Sequence, residues 1–266
     1  MIIFYACKSN QLVEAIRNRG WAEIIKICES QPDHNHSFHM AKQWCRIKLT
    51  GERSACVMLP LHYIVIMADG SKECMQAIEA VTKVFPHALE CKESSLARTP
   101  LHLACLHEDN LGMAGCCDHL IRFLLHAYPD AAMERDRLLR LPLHYAAAND
   151  ANVGEAALHE LLESYPEATT ARDGQGWLPL HVACHYKSIL RTIQALCAVN
   201  PDAVVAMTPL DRETPYELVR KQRDSSDFQD RYEILDFLAE KSKYYVPTPT
   251  PFMDSFVSDN FIHPIY

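Results

Sequence analysis

An all-α solenoid of helix-turn-helix units joined by loop fingers, about six units with atypical caps included, is the fold this sequence predicts. Three observations carry it. The motif P-L-H recurs with its prolines at 60, 100, 142 and 179, and a degenerate Thr214-Pro215-Tyr216-Glu217 comes next, giving steps of 40, 42, 37 and 36 residues. A second mark keeps the same register: VFPHA at 84–88, AYPDA at 127–131, SYPEA at 164–168 and VNPDA at 199–203. Between the two marks the apolar residues fall on one helical stripe, as in Ala157, Leu158, Leu161, Leu162 and Tyr165, and one unit earlier in Leu120, Ile121, Leu124, Leu125 and Tyr128.

Taken in order, residues 1–33 predict a capping helix pair: SNQLVEAIRNRGWAEIIKICESQPD has two short helical stretches around Gly20 and a Gln-Pro-Asp stop, but no P-L-H. Residues 34–58 form an insertion in which RIKLTGERSACVM suggests a hairpin about Thr50-Gly51. Repeats then occupy 59–241, as units 59–98, 99–140, 141–177, 178–213 and a polar C-terminal cap, 214–241. Each first helix is expected to start at Pro60, Pro100, Pro142 or Pro179, because the N–H that proline lacks has no partner at that position anyway. The small residues just after, Ala104-Cys105, Ala146-Ala147-Ala148 and Ala183-Cys184, predict a crowded inner helix. Turn chemistry precedes it, clearest in Arg172-Asp173-Gly174-Gln175-Gly176, whereas the charges of Glu134-Arg135-Asp136-Arg137 read as a solvated loop. The second helix is expected to end at the Phe/Tyr/Asn-Pro step, where proline removes a donor and steers the preceding residue out of the helical region. A flexible tail, 242–266, is proline-rich and then aromatic, and its Thr248-Pro249 and Thr250-Pro251 look like proline-directed phosphorylation sites.

Turn, [TL]-P-L-H-x-A, helix, helix and return loop resembles the ankyrin repeat over about residues 9 to 241. The units exceed the family's period of about 33, and Tyr-Pro-Asp/Glu-Ala stands where the family has Gly-Ala-Asp. The resemblance implies that His62, His102, His144 and His181 hydrogen-bond the backbone of the neighbouring loop. Spacing independently excludes a shared ion, since successive repeats lie about 10 Å apart and zinc–nitrogen bonds are about 2 Å. Leu59, Leu141 and Leu178 replace a threonine that would cap the helix, so those starts are expected to lean on proline and packing.

The resemblance further implies a non-enzymatic protein-protein interaction module, a scaffold or adaptor that binds its partner on a concave face. In the family, partners are touched by the residues two before the proline and by those six and seven after it. Here the first set is Met58, Arg98, Arg140, Trp177 and Glu213, and the second is Ile66, Met67, Leu106, His107, Ala148, Asn149, His185 and Tyr186. Trp177 with His185 and Tyr186, beside Arg140, is the leading hot spot, because interface centres favour aromatics and arginine.

Composition narrows the alternatives. With 26 basic against 34 acidic residues the net charge is −8, and no long basic run offers a track for phosphates, so nucleic acid is not an expected partner. The eleven cysteines never form C-x-x-C, which signals neither a disulfide framework nor a zinc knuckle and suits a reducing interior, cytoplasmic or nuclear. No apolar run approaches the roughly 20 residues that span a bilayer, and MIIFYACKSNQ is too short for a secretory signal. Neither the phosphate loop nor G-x-S-x-G nor H-E-x-x-H occurs, so no cofactor is expected. The rival reading is a metal-dependent regulator or enzyme built on His34, His36 and His39, imidazoles that a curled loop could bring together. A monomer is expected.

Overall fold

The computed structural model describes residues 3–4, 11–29, 39–48, 56–106, 117–149, 153–222 and 231–243. The tail 244–266 lies outside them, and so do both threonine-proline pairs. Helices α1 (Gln11–Arg17) and α2 (Trp21–Glu29) meet around Gly20, and a short α3 covers residues 39–42. Five helices then begin on the motif proline: α4 (Pro60–Met67), α6 (Pro100–Leu106), α8 (Pro142–Ala148), α10 (Pro179–His185) and α12 (Pro215–Lys221). Each is succeeded by its second helix: α5 (Lys72–Val84), α7 (Asp118–Ala127), α9 (Glu155–Ser164), α11 (Leu190–Val199) and α13 (Arg231–Lys243).

Helix packing recurs along the chain. One row runs α1, α4, α6, α8, α10, α12, each member against the next, and beside it α2 packs on α5 while α7, α9, α11 and α13 pack in sequence. A helix in the first row has neighbours on both sides and a third at its back, so it is buried all round. Pro142 through Ala147 are all buried, and Ala146 and Ala147 are fully covered. Small side chains at these positions let the helices approach closely, and a larger one would force the core apart. The end layer is covered on one side only, and α13 buries little beyond Ile234 and Leu238.

The second helices stop at the expected steps. Phe85, Tyr128, Tyr165 and Asn200 leave the helical region with φ of −139°, −150°, −150° and −131°, as the proline after each requires. Those prolines do more than end a helix, which the residue pattern does not foretell: each opens a one-turn 3-10 helix, Pro86–Leu89, Pro129–Met133, Pro166–Thr170 and Pro201–Val205. These turns bury Ala88, Ala131, Ala168 and Ala203, which is why alanine recurs two residues after each proline.

Beside the helices stands the hairpin suggested within 34–58, its turn at Thr50-Gly51 lying outside the described residues, joined by one further strand that was not expected. Strands β1 (Ile3–Phe4), β2 (Cys45–Lys48) and β3 (Cys56–Met58) form a small antiparallel sheet in that order, with Arg46 opposite Val57 and Ile47 opposite Cys56. Strand β3 takes the place of a loop finger before the first repeat: Ser94 N donates to the Val57 carbonyl at 2.9 Å, and Val57 N donates to Ser94 Oγ at 2.8 Å.

Each later finger closes in the same way, the N–H of Glu93, Asp136, Asp173 and Thr208 donating to the carbonyl of Arg98, Arg140, Trp177 and Glu213. The residue before each of those carbonyls is left-handed: Ala97 at φ 58°, Leu139 at 57°, Gly176 at 77° and Arg212 at 52°. Neighbouring fingers are tied through the backbone, Arg137 N to Leu96 O and Gly174 N to Leu138 O, both at 2.7 Å. At Gly176 an added Cβ would lie 2.3 Å from Pro209 Cγ. Gly176→Ala is therefore expected to destabilise the fold by about 1–3 kcal/mol, combining left-handed strain with a clash. A urea melt unchanged from wild type would contradict this close approach.

Candidate functional site

The four motif histidines occupy equivalent places and none is free for chemistry. Each sits three residues into its helix and is almost completely buried. Its Nε2 faces a backbone carbonyl of the next finger, His102 to Arg140 at 3.2 Å and His144 to Trp177 at 3.3 Å, or of the segment two residues ahead of it, His62 to Cys91 at 3.0 Å and His181 to Ala206 at 2.9 Å. In three of them Nδ1 accepts from the backbone N–H ahead of the helix, from Thr99 at 3.2 Å, Leu141 at 3.2 Å and Leu178 at 3.1 Å. A nitrogen that accepts carries no proton, so the ring is the neutral tautomer with N–H on Nε2. Thr99 adds its hydroxyl to His102 Nδ1 at 2.8 Å. The first histidine departs from the rule, its Nδ1 being buried without a hydrogen-bond partner among the described residues.

Two of the three leucine positions have a cap despite their residue type, and Leu59 does not. At Leu141 and Leu178 the histidine itself takes up the N–H, from the position where a capping box places glutamate. The last unit has that glutamate: Thr214 N donates to Glu217 Oε2 at 2.8 Å, and Glu217 N to Thr214 Oγ1 at 3.4 Å. Burial holds the imidazoles neutral, pushing His62, His144 and His181 down to about 4 and His102 to about 3.

Three carboxylates missed by the sequence reading organise the fingers. Asp136 Oδ1 accepts from Leu138 N and Arg140 N, both at 2.8 Å, and its Oδ2 from the Tyr145 hydroxyl at 2.5 Å. Asp173 Oδ1 accepts from Gln175 N and Trp177 N, both at 2.9 Å, and Glu93 accepts from Leu96 N at 2.9 Å. All three are buried, so the solvated-loop reading of Glu134 to Arg137 fails at Asp136. Burial raises Asp136; at Glu93 burial also pushes upward but is outweighed, chiefly by Arg98, and the carboxyl lies below its usual range. The signal was an acid six or seven residues before the motif proline, in the register of the repeat.

Those acids also take two of the residues expected at a partner surface. Arg98 Nε is bound to Glu93 Oε1 at 3.0 Å and Arg140 Nε to Asp173 Oδ2 at 3.2 Å, with both arginines about 5% exposed. Met58, at the end of β3, is fully buried. These three positions are core, because stacked fingers cover the side chain that precedes the motif pair.

The fourth finger position behaves differently. Trp177 is half-buried, its ring centroid 5.0 Å from that of His185 at 74°, and His185 stands 5.0 Å from Tyr186 at 73°. The structure thus brings together Trp177, His185 and Tyr186 at the end of α10, with His185 exposed and lowered from its usual pKa by partial burial. Elsewhere Met67, Leu106, Asn149 and Glu213 are half-buried; Asn149 Nδ2 donates to the Cys105 carbonyl at 3.3 Å and Glu213 pairs with Lys221. His107 lies outside the described residues, as do His34 and His36, while His39 is exposed at the start of α3.

Among the described residues, no group of three or more His, Cys, Asp or Glu is placed to hold a metal ion, and no helix is long and apolar enough to cross a membrane. No protein-family model matches the chain, and no curated protein matches it.

The imidazoles fix the sign of a pH dependence. An unfolded histidine binds its proton near pH 6.5, whereas the folded ones resist until about 4 or below, so between those values the unfolded state holds more protons. Stability is therefore expected to fall as pH drops from 7 to 4.5, with net proton uptake on unfolding; Asp136, raised by burial, opposes this as a single group. Urea melts across that range giving a constant unfolding free energy would contradict the burial of neutral rings. Asp173→Ala should cost about 3–5 kcal/mol by leaving Arg140 buried without its counter-charge. Asp173→Asn keeps an acceptor for Gln175 N and Trp177 N but removes the same charge, so it should cost nearly as much, and an asparagine variant that melts like wild type would rule out the charge.

Proposed function

We propose that this chain is an ankyrin-repeat protein that acts as a non-enzymatic scaffold or adaptor, holding a partner protein across the exposed ends of its inner helices. The observation that carries the reading is the cluster Trp177, His185 and Tyr186, in which the His185 ring meets both of the others at the surface of a helix whose other residues are core. Rings held rigid by their neighbours lose little entropy on binding and offer large contact area, which is the usual make-up of a binding hot spot.

The family assignment is supported by the register of [TL]-P-L-H-x-A, by recurring helix pairs and by the histidine that reaches the next finger. Binding is favoured over catalysis because the repeated histidines are neutral, buried and bonded at Nε2 to backbone. Partner identity then resides in the half-exposed set Trp177, His185, Tyr186, Asn149, Leu106 and Met67.

Trp177→Ala combined with Tyr186→Ala should leave the thermal melt within a few degrees of wild type and abolish most specific capture by the immobilised chain in a cell extract. Capture of the same proteins in the same amounts by the double variant would remove this face from consideration.

A further inference from the structure

Although the chain carries a net charge of −8, the outer edge of its fingers is cationic. Arg135, Arg137 and Arg172 are exposed, and each is pinned by a single nitrogen to loop carbonyls. Arg135 Nη1 donates to Leu139 O at 2.7 Å and Arg172 O at 3.0 Å. Arg172 Nη1 repeats the pattern one unit later, donating to Gly176 O at 2.5 Å and Met207 O at 3.4 Å. Arg137 Nη1 reaches back to Ser94 O at 2.8 Å and Ser95 O at 2.6 Å. Among the described residues none of the three forms an ion pair, and their Nε and Nη2 hydrogens have no acceptor. The acids of these two fingers are buried and already engaged and Glu134 is paired with Lys92, while Asp211 of the next finger is exposed.

From this arrangement we infer that the finger edge docks an acidic polypeptide segment of a partner protein, recognised by the guanidinium groups of Arg135 and Arg172; the inference rests on the binding-module reading above and names the chemistry of the partner. An arginine already fixed by one nitrogen has lost much of its side-chain freedom, so a carboxylate meets a pre-organised donor at reduced entropic cost. Exposed Leu139, Met207 and Leu210 lie on the same edge and suit a segment that mixes acids with apolar residues. Nucleic acid fits less well, since a phosphate backbone has no use for the apolar side chains on this edge. The repeat also sets a spacing. Successive layers stand about 10 Å apart and an extended chain rises about 3.3 Å per residue, so carboxylates at every third residue match successive arginines.

The test uses the intact chain and a fluorescein-labelled 12-residue peptide with aspartate at every third position and leucine and glycine between, alongside its asparagine twin. In fluorescence anisotropy the aspartate peptide should bind at least ten-fold more tightly than the twin, and added salt should weaken it. Arg135→Gln with Arg172→Gln should reduce binding at least ten-fold. Arg135→Lys with Arg172→Lys, which keeps the charge and a donor for the carbonyls, should melt like wild type and bind with intermediate affinity. Trp177→Ala with Tyr186→Ala should change probe binding less than two-fold, so failure of the aromatic face and failure of this edge give different results. Equal affinity for the two peptides, unaltered binding by the double glutamine variant, or tighter binding of a 20-nucleotide single strand through the same arginines would overturn the inference.

Discussion

One hydrogen bond, repeated, fixes the distance and angle between units: an imidazole Nε2 inside one inner helix held against a backbone carbonyl of the next finger or of the segment just ahead of it. Because the ring is buried, the bond stands in a medium of low dielectric, where leaving either partner unpaired costs about 1–3 kcal/mol. The same ring caps its own helix through Nδ1 in three units, so one side chain ties the start of a helix to the loop ahead of the next inner helix. In the last unit Glu217 occupies the position instead, satisfying only the local N–H. The substitution separates the ring's two tasks: capping persists without bridging.

The rest of the finger stack is built around that link. The bridged carbonyls of Arg140 and Trp177 also close their own loops, and these closures require a left-handed residue at Leu139 and Gly176 and a buried carboxylate at Asp136 and Asp173 to take up the remaining N–H groups. A buried carboxylate needs compensation, which Tyr145 and Arg140 supply. Charge is drawn into the base of the finger while pinned arginines remain at its edge, and among the described fingers it is Trp177 that leaves a large aromatic side chain half-open at the base.

Much of this architecture was legible because repetition amplifies weak signals. No single P-L-H or Tyr-Pro-Asp would define a helix boundary, yet their shared register placed the helix starts at Pro60, Pro100, Pro142, Pro179 and Pro215 and the stops at the Phe/Tyr/Asn-Pro steps. Trp177, His185 and Tyr186 were legible through the resemblance, which singles out the residues two before the proline and six and seven after it. Interaction between units is what escaped. Arg140 and Arg98 look like surface residues by type and by position in a loop, yet both are core, Arg140 through Asp173 of the neighbouring finger and Arg98 through the buried Glu93 of its own. Strand β1 escaped because it is two residues long and pairs with β2 about forty positions away, a non-local match with no periodicity to betray it, whereas β2 and β3 are the two arms of the hairpin suggested by RIKLTGERSACVM.

The stack depends on four imidazoles being neutral, with the proton on Nε2. Nitrogen-15 correlation spectra of the histidine rings at pH 6 test this directly, since the two tautomers and the imidazolium have distinct shifts. Residue-assigned signals of His62, His102, His144 and His181 should all report the neutral Nε2–H form and stay unchanged to below pH 5. Any of the four appearing as imidazolium at pH 6, or as the Nδ1–H tautomer, would contradict the bridge on which the stack is built.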